Sequence, residues 1–255
     1  MSPVAPRPLL DVSAITEHVS QYWRVSVVEV TGSTQLDLLE KAKHSTLKDG
    51  DVLLTEYQKS GKGRLDRTFE AAPSTALMLS LYIEPKIEKH EWSFIPLLTG
   101  LSVAFALHKR NQDTEIKLKW PNDLLVGEKK LGGIIAQALE NGVVIGIGIN
   151  VAMNSDQLPV PHATSLLIEG AKHLDRNVLC SEILNTLDEL LQRWISGEDL
   201  LHLYREKSAT LGQDVEIELP GGNRITGLAS DFSRSGELIL RDGTRVTVGD
   251  VIHLR

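Results

Sequence analysis

The chain has 255 residues, 42% of them hydrophobic and 24% charged, with no low-complexity run and a formal net charge of -7. That length suits one large domain plus a small one, and the acidic balance argues against a general duplex-binding protein, whose affinity rests on lysine and arginine neutralising phosphates. Cys180 is the only cysteine, which excludes an intrachain disulfide, a cysteine metal cluster and a CxxC redox pair.

Met1 to Pro8, with three prolines, reads as a flexible tail, and apolar spacing from Leu9 to Tyr22 suggests one short helix. Nothing there resembles a secretory signal or a transmembrane helix, and a reducing, cytoplasmic location is expected. Trp23 to Val30 reads as a strand, Thr31 to Ser33 as a turn and Gln35 to Lys43 as a helix, so Ser33 and Thr34 sit where strand hands over to helix. Val52 to Glu56 is a buried strand leading into a cationic, glycine-containing loop, Gln58 to Arg67. Ala76 to Ile83 is a further strand, and Phe94 to Lys109 a long helix with one apolar face that covers the sheet.

Ile116 to Leu118, Leu124 to Val126 and Leu131 to Ala138 are meandering strands joined by Pro121-Asn122-Asp123 and Gly127-Glu128, which predicts antiparallel pairing. Val143 to Val151 alternates glycine with isoleucine, leaving one strand face bare for a close approach. Helices follow at Asn177 to Trp194 and Asp199 to Glu206. Short strands near Val215 to Leu219, Ile225 to Ala229, Leu238 to Leu240 and Arg245 to Val248 then predict a small all-β module. Strands and helices segregate, so the fold class is α+β. The expected division is a tail and short helix over 1–24, a main domain over 25–208 and a β-module over 209–255.

Two segments carry chemistry. In Gly61-Lys62-Gly63-Arg64 the glycines let backbone approach a ligand and the cations offset negative charge. It is not a P-loop, which requires GxxxxGK followed by Ser or Thr; taken alone it could equally be a solvated basic loop. Lys119-Trp120-Pro121-Asn122-Asp123, with Lys130 and Gly132-Gly133 downstream, gathers an amide, a carboxylate and an amine near one turn. On composition alone it could equally be an ordinary hairpin. The histidines are scattered singly, and no protein-bound metal is assigned.

From about Val25 to its end the chain resembles the biotin-protein ligases. GKGRLDR (Gly61 to Arg67) is similar to the family's GRGRxxR loop, and KWPNDLL (Lys119 to Leu125) with Lys130 and Gly132-Gly133 to its KWPND hairpin. GIGIN (Gly146 to Asn150) and ATSL (Ala163 to Leu166) follow in the family's order. The resemblance implies a mixed, largely antiparallel sheet flanked by helices, of the class II aminoacyl-tRNA synthetase and biotin ligase kind, with a C-terminal SH3-like barrel. It implies two steps: biotin and ATP give biotinyl-5'-AMP and pyrophosphate, then a lysine of a biotin carboxyl carrier domain attacks the acyl carbon and expels AMP.

The same resemblance implies the site. Ser33, Thr34 and Gln58 would hold the ureido ring, for which hydroxyls and an amide suit the ring's donors and acceptor; helix N-capping is the competing use of the first two. Gly61, Lys62, Gly63 and Arg64 would cover biotin, with Gly132 and Gly133 beside it. Arg64 and Lys130 would meet the biotin carboxylate and α-phosphate. Arg67, Phe69, Asn122 and Asn150 would complete the nucleotide site, and Asp123 would orient the acceptor amine. Magnesium would accompany ATP. Lys62 departs from the family's usual arginine, keeping the charge and losing the bidentate fork. Phe69 replaces a frequent tryptophan, and Asp66 falls at a variable position. No nucleic-acid or membrane partner is expected, and the chain is expected to be a monomer or homodimer. Three rivals remain: a lipoate-protein ligase, which would lack the GRGRxxR and KWPND pair; a biotin-responsive DNA-binding repressor, which the short leader and acidity disfavour; and a silent biotin-binding protein, which would not form adenylate.

Overall fold

The computed structural model describes residues 7–64 and 67–254. The expected tail at Met1 to Pro6 and the position of Asp66 lie outside the described residues. Arg7 and Pro8 are not part of a loose tail: Arg7 donates to the Ala152 carbonyl at 2.7 Å, and the Pro8 carbonyl accepts from Arg176 at 2.9 Å.

Among the described residues, seven strands form one sheet: β1 (Arg24–Thr31), β2 (Asp51–Gln58), β5 (Ala76–Ile83), β6 (Ile116–Lys119), β7 (Asp123–Val126), β8 (Lys129–Ala138) and β9 (Val143–Asn150). Their order is β1-β2-β5-β9-β8-β7-β6, with β1 and β2 parallel and the other neighbours antiparallel. The period of two divides the faces of β5 and β9. Leu77, Leu79, Leu81, Ile145, Ile147 and Ile149 enter the main core with α3 (Ile95–Arg110) and α4 (Arg176–Ile195). Ala76, Met78, Ser80, Gly146 and Gly148 alternate with them and face the other way. That second face carries α2 (Thr34–Lys43), whose Leu38 packs with Leu53, Tyr82 and Val144. The rest of it is the floor of a cleft.

Two expectations are corrected. The helix expected over Leu9 to Tyr22 is only α1 (Val12–Thr16), capped by the Asp11 side chain at Ala14 N. Beyond it the chain turns to meet α4, and the His18 carbonyl accepts from Asn185 at 2.6 Å, so tertiary contact overrides the helical spacing. The stretch expected as one loop from Gln58 to Arg67 begins inside β2. It continues as a small ribbon of β3 (Gly61–Lys62) and β4 (Thr68–Phe69).

Past α5 (Leu201–Lys207), the strands β10 (Asp214–Glu218), β11 (Arg224–Phe232), β12 (Leu238–Leu240), β13 (Arg245–Val246) and β14 (Asp250–His253) form an antiparallel sheet in the order β13-β12-β11-β10-β14. β14 is a strand the sequence reading missed. Val215, Phe232 and Leu240 join the main core. The junction is specific: Tyr204 meets Phe232 edge-on with ring centroids 5.0 Å apart, and Arg205 grips Asp231 through two bonds of 2.6 and 3.2 Å. Among the described residues no helix is long and apolar enough to cross a membrane.

Candidate active site

A cleft of about 1020 Å³ opens on the α2 side of the sheet, between the β3–β4 ribbon, the β6–β7 hairpin and β14. Of the residues singled out in sequence, Ser33, Thr34, Gln58, Lys62, Gly63, Arg64, Arg67, Phe69, Asn122, Asp123, Lys130, Gly132, Gly133 and Asn150 all line it. Gly61 does not. A Cβ there would lie 2.4 Å from the Phe69 carbonyl oxygen and 2.8 Å from Gln58 Nε2, so this glycine serves ribbon packing.

One end of the cleft is built at the start of α2. Ser33 occupies the N-cap backbone position but makes no side-chain cap bond, and its buried Oγ has no partner. The orphan amide is satisfied from another strand: Gln58 Oε1 accepts from Thr34 N at 2.8 Å and from Thr34 Oγ1 at 3.2 Å, and Thr34 Oγ1 shares a 2.8 Å bond with Ser80 Oγ. Capping is thus done by Gln58, and Ser33 keeps an unspent hydroxyl. Beside it, Gln35 donates to the Val144 carbonyl at 3.1 Å while its buried Oε1 has no partner. Gln35 and Ser80 escaped the sequence reading.

The floor is the bare face of β9. A Cβ on Gly148 would lie 2.8 Å from the Phe69 ring, and one on Gly146 would meet Gln35 Oε1 and Ile135 at 2.9 Å. The close approach expected of this face is therefore occupied in part by Phe69. At its end, Asn150 donates to the Thr164 carbonyl at 2.9 Å and keeps a buried, unpartnered Oδ1. The ATSL segment brackets the start of β8, since Lys130 N donates to His162 O and Thr164 N donates to Lys130 O, both at 2.8 Å. This pins the backbone that carries Lys130.

The charged wall comes from the hairpin and the ribbon. Lys130 Nζ lies 2.6 Å from Asp123 Oδ1. Arg64 donates through Nη1 to Asn122 Oδ1 at 3.1 Å and to the Gly249 carbonyl at 3.3 Å, with Asp250 Oδ1 3.6 Å away. Asp250 also pairs with Arg67. Burial lowers the pKa of Arg64, opposed by Asp250 and Asp123; burial likewise lowers that of Lys119, opposed by Asp123. His253 is lowered by burial and then by Lys119. The hairpin itself is anchored on Trp120, which is buried, precedes a cis proline and donates from Nε1 to the Gly236 carbonyl at 2.9 Å.

The cleft thus combines a cluster of neutral hydrogen-bonding groups with a cluster of cations, a lining that suits a ligand carrying a polar head and a growing negative charge. Among the described residues no group of three or more His, Cys, Asp or Glu could hold a metal ion.

Residues 27–154 match the Biotin/lipoate A/B protein ligase family. The chain is 36% identical to the biotin--[acetyl-CoA-carboxylase] ligase of Mycobacterium tuberculosis, over 98% of this chain and 97% of that protein. It is 30% identical to the bifunctional ligase/repressor BirA of Escherichia coli, over 91% of this chain and 74% of that one. Among solved structures it superposes on the Aquifex aeolicus biotin protein ligase in complex with biotin and ATP, with a TM-score of 0.76 and 26% identity, covering 91% of this chain and 98% of that chain.

Proposed function

The chain belongs to the biotin-protein ligases and is an ATP-dependent enzyme, and from that premise we propose how its own residues divide the work. Ser33, Thr34 and Gln58 hold the ureido ring, with Lys62, Gly63, Gly132 and Gly133 along the bound molecule. The unpartnered Ser33 hydroxyl supports this reading, because a buried polar atom left unpaired by the protein costs free energy that a ligand bond recovers. A carboxylate attacking a phosphate brings two anions together, and Arg64, Arg67 and Lys130 offset that repulsion. Asn122, Asn150 and Phe69 surround the nucleotide. Magnesium would accompany ATP and add to the offset of phosphate charge.

In the second step Asp123 orients the acceptor lysine and takes its proton. The observation that carries the whole reading is the 2.6 Å pair of Asp123 and Lys130 in the cleft that Ser33 also lines. The pair supports a reading in which the group for amine attack lies beside the group for adenylate charge. The acceptor is a biotin carboxyl carrier domain, in keeping with the relative named for acetyl-CoA carboxylase. The main domain over 25–208 supplies these residues, and the β-module over 209–255 closes one side of the cleft.

Biotin-dependent exchange of labelled pyrophosphate into ATP tests the first step, with lipoate as the parallel substrate. Exchange with biotin alone is expected. Exchange with lipoate alone would transfer the chain to lipoate activation, and none with either would leave a binding protein.

A further inference from the structure

Asp250 opens β14 on the C-terminal sheet, far in sequence from the glycine-containing ribbon, yet its carboxylate reaches both arginines of that ribbon. We propose that Asp250 is a positioning residue for adenylation, holding the Arg64 guanidinium in the attitude from which it meets phosphate. The inference rests on the ligase reading above.

Two observations support it. First, the protein contacts of Arg64 among the described residues converge on Nη1: Asn122 Oδ1 at 3.1 Å, Gly249 O at 3.3 Å and Asp250 Oδ1 at 3.6 Å. A guanidinium is planar and rigid, so fixing one corner orients the opposite edge, formed by Nε and Nη2, for bidentate contact with an anion. Second, Lys62, Arg64, Arg67, Lys119 and Lys130 all line the cleft, and two arginines that share one short ribbon repel each other. Asp250, only 17% exposed, pairs with both. Without it, the repulsion between the two arginines would be offset less, and the bonds to Asn122 and Gly249 would hold Arg64 less firmly before ATP arrives. Asp123 cannot substitute, because it is engaged by Lys130.

Asp250 touches no reacting atom in this scheme and acts through the arginines it pairs with, Arg64 above all. The test is pyrophosphate exchange on the full chain with Asp250→Asn, Asp250→Glu, Arg64→Gln and the Arg64→Gln/Asp250→Asn double variant, with thermal unfolding and ATP-free biotin binding measured alongside. Asp250→Asn is expected to raise the KM for ATP about tenfold, as loss of one contact to a charged group does, with a smaller loss of biotin affinity and an unchanged unfolding midpoint. Asp250→Glu should restore most of the loss, and in the Arg64→Gln background Asp250→Asn should add less than about twofold. Equal losses in both backgrounds, a fall in unfolding midpoint that accounts for the loss, or tighter ATP use by Asp250→Asn would overturn the proposal. No exchange by the unmodified chain would instead overturn the ligase reading, and this inference with it.

Discussion

Lys62 stands where the GRGRxxR pattern that the ribbon resembles has an arginine. It is exposed, sits on β3 opposite Thr68 and lines the cleft. An ammonium keeps the charge but gives a single-point contact where guanidinium gives a fork. Lys62→Arg should therefore slow release of biotinyl-adenylate by roughly threefold with little change in the rate of its formation. Dissociation of labelled adenylate from the isolated complex measures this, and an unchanged off-rate would mean that Lys62 contributes only through its backbone. The residue scale also shows what sequence can and cannot decide. Ser33 and Thr34 were visible at the strand-to-helix junction, but whether they cap the helix or face a ligand depends on Gln58, which lies on the neighbouring strand. Asp250 carried no local signal at all, since a lone carboxylate before a short apolar run is commonplace until the fold sets it against two arginines.

At the scale of elements, the long periodic segments were legible, and so were short strands set between turn residues such as β6, β7 and β12; a few other short elements were not. β5 and α3 declare themselves through apolar runs long enough for burial and periodicity to agree. α1, the β3–β4 ribbon and β14 span two to five residues each, and tertiary pairing rather than propensity decides them. The β9 strand is the element on which the site depends most, because its bare face lets the Phe69 ring lie against Gly148. Gly148→Ala would place a methyl carbon 2.8 Å from that ring, so Phe69 must move outward. We expect the KM for ATP to rise about tenfold while biotin binding at the Ser33 end stays within about twofold. Paired titrations of the two substrates check this; equal weakening of both would show that the strand itself had shifted.

At the scale of the molecule, four separate stretches meet at the buried ion pair of Arg176 and Glu56, 2.7 Å apart and 3% and 9% exposed. Arg176 opens α4, Glu56 belongs to β2, and the same carboxylate accepts from Leu10 N and Ser74 Oγ. Burial opposes ionisation of Glu56, yet Arg176, the Leu10 amide and Ser74 together hold its pKa below the ordinary 4.5. The unfolded chain therefore binds this proton more readily. The contribution to stability is full above pH 4.5 and is lost as pH falls through the folded value. Urea unfolding at about pH 7 and about pH 4 should show a shallower acid loss for Glu56→Gln than for the unmodified chain. Arg176→Met, which strands the carboxylate, should cost about 3–5 kcal/mol at neutral pH. Such a scaffold matters because the cleft draws its groups from the main sheet and from β14 together, and the proposed reading assigns activation and transfer to that one cleft. The most direct test of that claim supplies the chain with labelled biotin, ATP and a purified biotin carboxyl carrier domain, and locates the label by mass spectrometry. The account predicts stable label on a single carrier lysine, lost when Asp123→Asn replaces the unmodified chain although adenylate still forms; adenylate without transfer by the unmodified chain, or transfer unaffected by Asp123→Asn, would contradict it.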